Sequence, residues 1–318
     1  MTISDMTINI KEVFMKKKNI VALAIVVCGV VNSAIAQQDA LFTQYIDAQL
    51  YANAAEAGCN DHITVAGIHR QQWTGFQGAP MTSGIMVHSP LHYESIAIGM
   101  DIWNDALGTL NRTSVGANFA YRFKFKNGGK FSVGIKALAD FNFSDITTLS
   151  NADGDPMADN LANSTTPNAG VGIMYRSKKW FMGVGVPRLL TNENAEINGG
   201  YSNERQAYIL AGVLIKMNEN WIFRPTTQIR GFLNAPLNVD LTATLIGKER
   251  LYFGLNYRLN ASVGFIAQYQ LNPQIKIGYS FDLGTTSVLR STHFGSHEVV
   301  LTYDMNYTKS SVASPRFF

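Results

Sequence analysis

The stretch SVGANFAYRFKFKNGGKFSVGIKALADFNF, Ser114–Phe143, decides the fold. It divides into two long runs joined at Asn127-Gly128-Gly129. In the first run, Val115, Ala117, Phe119, Tyr121, Phe123 and Phe125 alternate with Gly116, Asn118, Ala120, Arg122 and Lys124. In the second, Phe131, Val133, Ile135, Ala137, Ala139, Phe141 and Phe143 alternate with a set containing Ser132, Gly134, Lys136, Asp140 and Asn142. A period of two puts each set on its own side of a sheet. Strands in soluble domains run about 5–6 residues, and a tilted strand crosses a bilayer in about 9–11. An apolar face this long needs a cover. Either a second sheet packs on it, as in a sandwich, or lipid covers it and the sheet closes into a barrel.

Composition favours lipid. Charged residues make up only 15% of the chain, against roughly 25% in soluble globular proteins. Lys16-Lys17-Lys18, the apolar run Ile20–Val31 and the small residues Ala34-Ile35-Ala36 read as a signal peptide over residues 1–36, cut before Gln37. Met15 stands directly before the lysines, so residues 1–14 read as an upstream extension from a misplaced start. Removing residues 1–36 leaves 22 basic and 21 acidic residues, a balance that gives no electrostatic footprint for nucleic acid. Cys59 is then the only thiol, which excludes an internal disulfide framework.

Alternating segments continue along the chain. They are Ile63–Trp73, Met81–His88, Ser95–Trp103, the opening pair, Ala169–Arg176, Trp180–Val186, Gln206–Met217, Trp221–Arg230, Leu237–Ile246, Leu251–Arg258, Ala261–Gln270, Ile275–Leu283 and Glu298–Tyr307. That makes about fourteen, an even number. Connections alternate in length. Asn127–Gly129, Ser177–Lys179, Asn218–Asn220, Gly247–Glu249 and Leu271–Pro273 are short, and between them lie Ser144–Asn168, Pro187–Arg205 and Gly284–His297. Two of the intervening ones, Gly231–Pro236 and Asn260, are brief. Short periplasmic turns and longer outer loops are the asymmetry of a membrane barrel; a sandwich has no reason to sort loops by parity. The fold class is therefore all-β: an antiparallel up-and-down transmembrane barrel with both termini periplasmic. Trp73, Trp103, Trp180 and Trp221 fall near the expected strand ends, where an aromatic belt lies.

The inward set mixes Arg122, Lys124, Lys136, Arg176, Lys216, Arg224, Arg230, Arg258 and Lys276 with Asp140, Asp240, Asp282 and Asp304. Inward glycines, among them Gly134, Gly172, Gly185, Gly264 and Gly278, leave room inside. A segment folded back into the lumen from the N-terminus is one candidate to fill it. Residues 37–62 lack alternation and read as a segment outside the barrel or in its mouth, followed by the barrel over 63–308 and a periplasmic tail over 309–318.

No catalytic constellation stands out. Serines and histidines are scattered without a nucleophile motif, and His88 and His92 lack companions at zinc spacing. No cofactor is implied. Asn151, Asp153, Asp155 and Asp159 offer oxygen ligands in the long Ser144–Asn168 loop, a calcium candidate without a complete ligand loop.

Two stretches resemble the PorP/SprF outer-membrane proteins of the Bacteroidetes type IX secretion system. The first runs from Gln38-Asp39 through Phe42, Gln44-Tyr45, Tyr51 and Asn53 to Ala57-Gly58, then Arg70, Gln72-Trp73, Gly75-Phe76, Gly78-Ala79-Pro80 and Ser89-Pro90-Leu91. The second is Gly295-Ser296-His297-Glu298 with the ending Pro315-Arg316-Phe317-Phe318. Where the family tends to carry Asn-Pro, this chain has Ala48-Gln49 and Asn53-Ala54. The resemblance implies a non-enzymatic barrel whose partner-binding residues include Gln44, Tyr45, Arg70, Trp73, Gly75, Phe76, Gly78, Pro80, Ser89, Pro90, His297, Glu298 and Arg316. It also implies partners: an adhesin cargo with a type B C-terminal domain, whose surface attachment and gliding role the barrel serves, and periplasmic ring and peptidoglycan-linked components. A passive channel or a transporter of hydrophobic compounds is the alternative for a barrel of this size.

Overall fold

Alternation separates the two residue sets in space as the pleat requires. In β4 (Leu110–Lys124) and β5 (Lys130–Ser144), Arg112, Ser114, Asn118, Arg122, Ser132 and Lys136 are buried on the inner face. Phe119, Tyr121, Phe123, Val133, Ile135 and Phe143 point outward and stay about half exposed. The two strands pair from Lys124↔Lys130 to Leu110↔Ser144. The computed structural model describes residues 41–91, 95–126, 128–144, 164–191, 205–232, 237–285 and 294–305. The expected signal peptide, the calcium candidates Asn151, Asp153, Asp155 and Asp159, His92, and the tail with Arg316 lie outside the described residues.

The remaining strands are β1 (Ile63–Gln71), β2 (Met81–Pro90), β3 (Ile96–Leu107), β6 (Ser164–Arg176), β7 (Trp180–Val186), β8 (Gln206–Val213), β9 (Ile215–Lys216), β10 (Trp221–Phe232), β11 (Asn238–Gly247), β12 (Leu251–Arg258), β13 (Ser262–Gln270), β14 (Ile275–Gly284) and β15 (Ser296–Met305). Every pairing is antiparallel between neighbours, β10 pairs with β11, and β15 returns to β1 from Ile63↔Met305 to Gln71↔His297. The sheet therefore closes, and no edge is left to satisfy in lipid. β8 and β9 both pair with β10, so they are two halves of one stave in a barrel of fourteen.

The expected single strand Gln206–Met217 is thus broken. Leu214 N–H keeps the register with the β7 side, donating to the carbonyl of Lys179 at 2.6 Å. The break falls beside Pro225 of β10, which has no backbone N–H to give, and the register with β10 is the same on either side of it (Thr226↔Gly212, Phe223↔Ile215). β3 continues to Leu107, past the expected end at Trp103. That places Trp103 within the strand with inward parity, buried, its indole N–H donating to Asp101 at 2.9 Å. Trp103 is therefore a lumen residue and stands outside any belt. Trp180 and Trp221 open β7 and β10 with exposed rings. Trp180 lies 4.8 Å from Tyr175, beside the outward rings of Phe123, Phe125 and Phe131. This aromatic row marks the end of the barrel that carries the short turns.

The lumen is not empty. Phe42 to Cys59 are buried inside it, as two short 3-10 turns (Tyr45–Ala48 and Ala54–Glu56) flanking one turn of helix, α1 (Gln49–Ala52). The segment expected at or outside the mouth is drawn in because its polar and charged groups find partners on the inner wall. Glycine makes the fit possible. A Cβ at Gly134 would run into the backbone of Ala54 and Ala55, one at Gly172 into Asn53, and one at Gly185 into Ala52. Gly134→Val is expected to overpack this contact by about 1–3 kcal/mol and to lower the temperature at which the fast-migrating folded band is lost on gels. Gly67→Ala should leave it unchanged, because a Cβ there meets nothing closer than the carbonyl of Gly84 at 3.9 Å.

Candidate functional site

Residues 37–62 carry Asp39, Asp47, Glu56 and Asp61 and contain no lysine or arginine. The described part of this segment descends through a wall whose buried side chains include Arg70, Arg122, Lys136, Arg224, Arg230, Arg258 and Lys276. An acidic peptide in a basic sleeve is electrostatically matched. At this depth an unpaired charge would cost several kcal/mol, so pairing decides where the segment lies.

Three contact groups hold it. Near the end with the longer connections, the Glu298 carboxylate accepts the backbone N–H groups of Thr43 (2.9 Å) and Gln44 (2.7 Å). Arg70 donates to Glu298 and to the Thr43 hydroxyl, both at 3.0 Å, and pairs with Asp282 at 2.7 Å. Deeper, Asp47 takes Lys276 at 2.6 Å and the amide of Gln268 at 2.7 Å, and Tyr45 shares a hydrogen bond with Thr226 at 2.8 Å. On the opposite wall Glu56 pairs with Arg176 at 2.7 Å, and Asn53 donates to the carbonyl of Ile173 at 3.0 Å. An aromatic knot fills the remaining space, with Tyr51 4.8 Å from Trp103 and 6.3 Å from Tyr208, and Phe42 5.5 Å from Tyr51.

The segment leaves at the short-turn end. Gly58, at φ +68°, donates its N–H to His88 Nδ1 at 3.0 Å, and Arg122 donates to its carbonyl. His88 is thus a buried acceptor. Asp61 then bridges Arg122 and Lys130 just before β1. Burial acts to raise the Asp61 carboxyl, but the hydrogen bond and charge of Lys130, with Arg122 behind it, hold it below the usual carboxylate range. Its contribution to stability is present above the unfolded pKa and is lost as pH falls through the folded one.

The family-motif residues fall into three places. Gln44, Arg70 and Glu298 meet in the lumen, and Tyr45 lies deeper there, against Thr226. Trp73, Gly75, Phe76, Gly78 and Pro80 build the β1–β2 connection, where Gln72 N–H meets the carbonyl of Pro80 at 2.9 Å and Gly108 N–H that of Gly78 at 3.0 Å. That connection is stitched to the β14–β15 connection by Thr74 N–H to Gly295 O and Phe294 N–H to Thr74 O, each 2.8 Å. Gly75, at φ +95°, lies where a Cβ would press on the Phe294 ring. Ser89 and Pro90 sit at the opposite end, and His297 faces outward, hydrogen-bonded to the Tyr279 hydroxyl at 2.7 Å. Sequence reasoning missed Thr43, Asp47 and Glu56. Their carboxylates and hydroxyl in a base-free stretch were the available signal.

Among the described residues no three histidine, cysteine or acidic side chains gather for a metal, and Cys59 is buried against Met174. The expected inward cations Lys124 and Lys216 lie exposed at the short-turn end. A small cavity between Tyr51 and β3–β5 is lined by charges that already have partners: Lys136 pairs with Asp101 across the lining at 2.8 Å, and Arg188 with Asp140 outside it at 2.9 Å.

The family described as "Type IX secretion system membrane protein PorP/SprF" matches residues 34–303. The chain belongs to the PorP/SprF family. Among solved structures, this PorP/SprF chain is similar to the Acinetobacter baumannii outer membrane protein Omp33 (9% identity, TM-score 0.44, covering 78% of this chain and 100% of that one). It is also similar to a bacterial polysaccharide outer membrane secretin (10% identity, TM-score 0.45, 78% and 99%) and to the KdgM porin (7% identity, TM-score 0.39, 76% and 99%). No curated protein matches the sequence. Family and barrel together make this PorP/SprF protein an outer-membrane component of the type IX secretion system.

Arg176→Met strands Glu56, which is 1% exposed, and is expected to cost about 3–5 kcal/mol. Adding Glu56→Gln should restore most of that loss. Chemical unfolding of the purified barrel in detergent reads both.

Proposed function

We propose that this PorP/SprF barrel works as a docking platform for export or surface attachment of an adhesin-type cargo with a type B C-terminal domain. In this reading the rim with the longer connections engages the cargo. The short-turn rim, where β1 begins and β15 ends, faces the periplasm, and the tail over residues 309–318 contacts ring and peptidoglycan-linked components. The observation that carries the reading is the filled lumen. A barrel whose bore is occupied from Phe42 to Cys59 acts through its surfaces, which weighs against a passive channel or a hydrophobe transporter. The stitched β1–β2 and β14–β15 connections supply such a surface, with Phe294 78% exposed and Phe76 45% exposed at the rim. Rings held on tied loops lose little entropy on binding, which suits them as anchors.

Deletion of the gene is expected to remove the adhesin from the cell surface and to abolish its gliding or attachment. The double substitution Phe76→Ser and Phe294→Ser should cut surface adhesin several-fold while barrel abundance holds. Unchanged surface adhesin in the deletion strain would refute the proposal.

A further inference from the structure

Buried charges in the lumen are balanced at Lys136 with Asp101 and at Lys276 with Asp47. Arg70 meets two acids, Asp282 and Glu298. The β10–β12 wall reverses that ratio. Asp240 takes Arg230 on one carboxylate oxygen at 3.0 Å and Arg258 on the other at 2.6 Å. Asp240 is fully buried, and the two arginines are 1% and 5% exposed. Two guanidiniums therefore share one carboxylate away from solvent, which leaves a positive charge in surplus. Among the described residues neither arginine has a second acidic partner.

Unmet donors accompany the surplus. Arg258 is in register with Asp240 on one side and with Ser262 on the other, and all three alternate to the inner face. Arg230 lies two positions beyond Gln228, the residue of β10 that faces Asp240. Among the described residues Arg230 Nε, Arg258 Nη2 and the Ser262 hydroxyl are buried without a hydrogen-bond partner. Asp282, on the strand beyond Ser262, is held by Arg70 and the Thr43 hydroxyl and makes no bond to this row. Buried polar groups without partners are rare in folded proteins, and an unbalanced buried charge is costly. Water would fill the donors and leave the charge. An anion answers both.

The row stands near the mouth with the longer connections. Arg258 ends β12, Ser262 opens β13, and Arg230 is followed in β10 only by Gly231 and Phe232. We infer that Arg230, Arg258 and Ser262 form a binding site for a dissolved tetrahedral oxyanion of the phosphate class, entering from that mouth. Guanidiniums hold such groups through charge-assisted, often bidentate hydrogen bonds. Donors on three separate side chains suit a ligand with oxygens on several sides better than a planar carboxylate with two. Lipid headgroups do not reach the inner wall, so the ligand arrives from solution.

The test replaces chloride with inorganic phosphate at constant pH and ionic strength and follows thermal unfolding of the intact purified barrel in detergent. Phosphate should raise the unfolding temperature of the parent along a saturating curve, and acetate should not. Ser262→Ala should move the midpoint of the phosphate curve several-fold higher. Arg258→Met should abolish the saturating response. An equal phosphate response in the parent and both variants, as a general salt effect produces, would overturn the site, and so would a parent that shows no saturating rise. If Arg258→Met fails to fold, the Ser262→Ala midpoint decides: a several-fold rise supports the site, and an unshifted midpoint overturns it.

Discussion

The two oxygens of Glu298 receive the N–H groups of Thr43 and Gln44 while Arg70 approaches from the neighbouring strand. A carboxylate this deep is tolerable only if nearly all its lone pairs are filled. The wall supplies the guanidinium, and the segment supplies the backbone donors. Remove the segment and an acid on β15 loses two of its donors. The same dependence recurs lower down, where Lys276 and Arg176 on the wall need Asp47 and Glu56 from the segment. Wall and filling are therefore one folding unit, with each leaving the other's charges stranded.

This arrangement inverts a soluble protein. The outward surface carries the apolar side chains, and the interior carries salt bridges, amides and hydroxyls around a small aromatic knot. Apolar burial inside is modest, so specificity in the lumen comes from hydrogen-bond geometry and from glycines that admit the segment's backbone. The lipid-facing wall imposes the strands, and the polar interior selects what lies within them.

Alternation made most of the wall legible, because lipid and lumen demand opposite chemistry from successive residues. Strand ends were less so. β6 begins at Ser164, five residues before the expected Ala169, since Ser-Thr-Thr-Pro-Asn carries no apolar face to announce it. Trp103 misled for a related reason: a lumen aromatic inside a longer strand looks like a belt aromatic at the end of a shorter one. The inward glycines hinted at a filled bore, yet pairings such as Asp47 with Lys276, separated by 229 positions, leave no periodic trace. The motif residues Gln44, Arg70 and Glu298 were visible as letters, whereas their convergence required the closed barrel.

A barrel closed by its own chain has rims and outer walls to work with rather than a bore, which fits a component of a secretion machine. The most direct measurement is the single-channel conductance of the purified, intact chain in a planar bilayer. The account predicts no steady current above the bare membrane across physiological voltages. A stable open pore in the absence of any partner would contradict it.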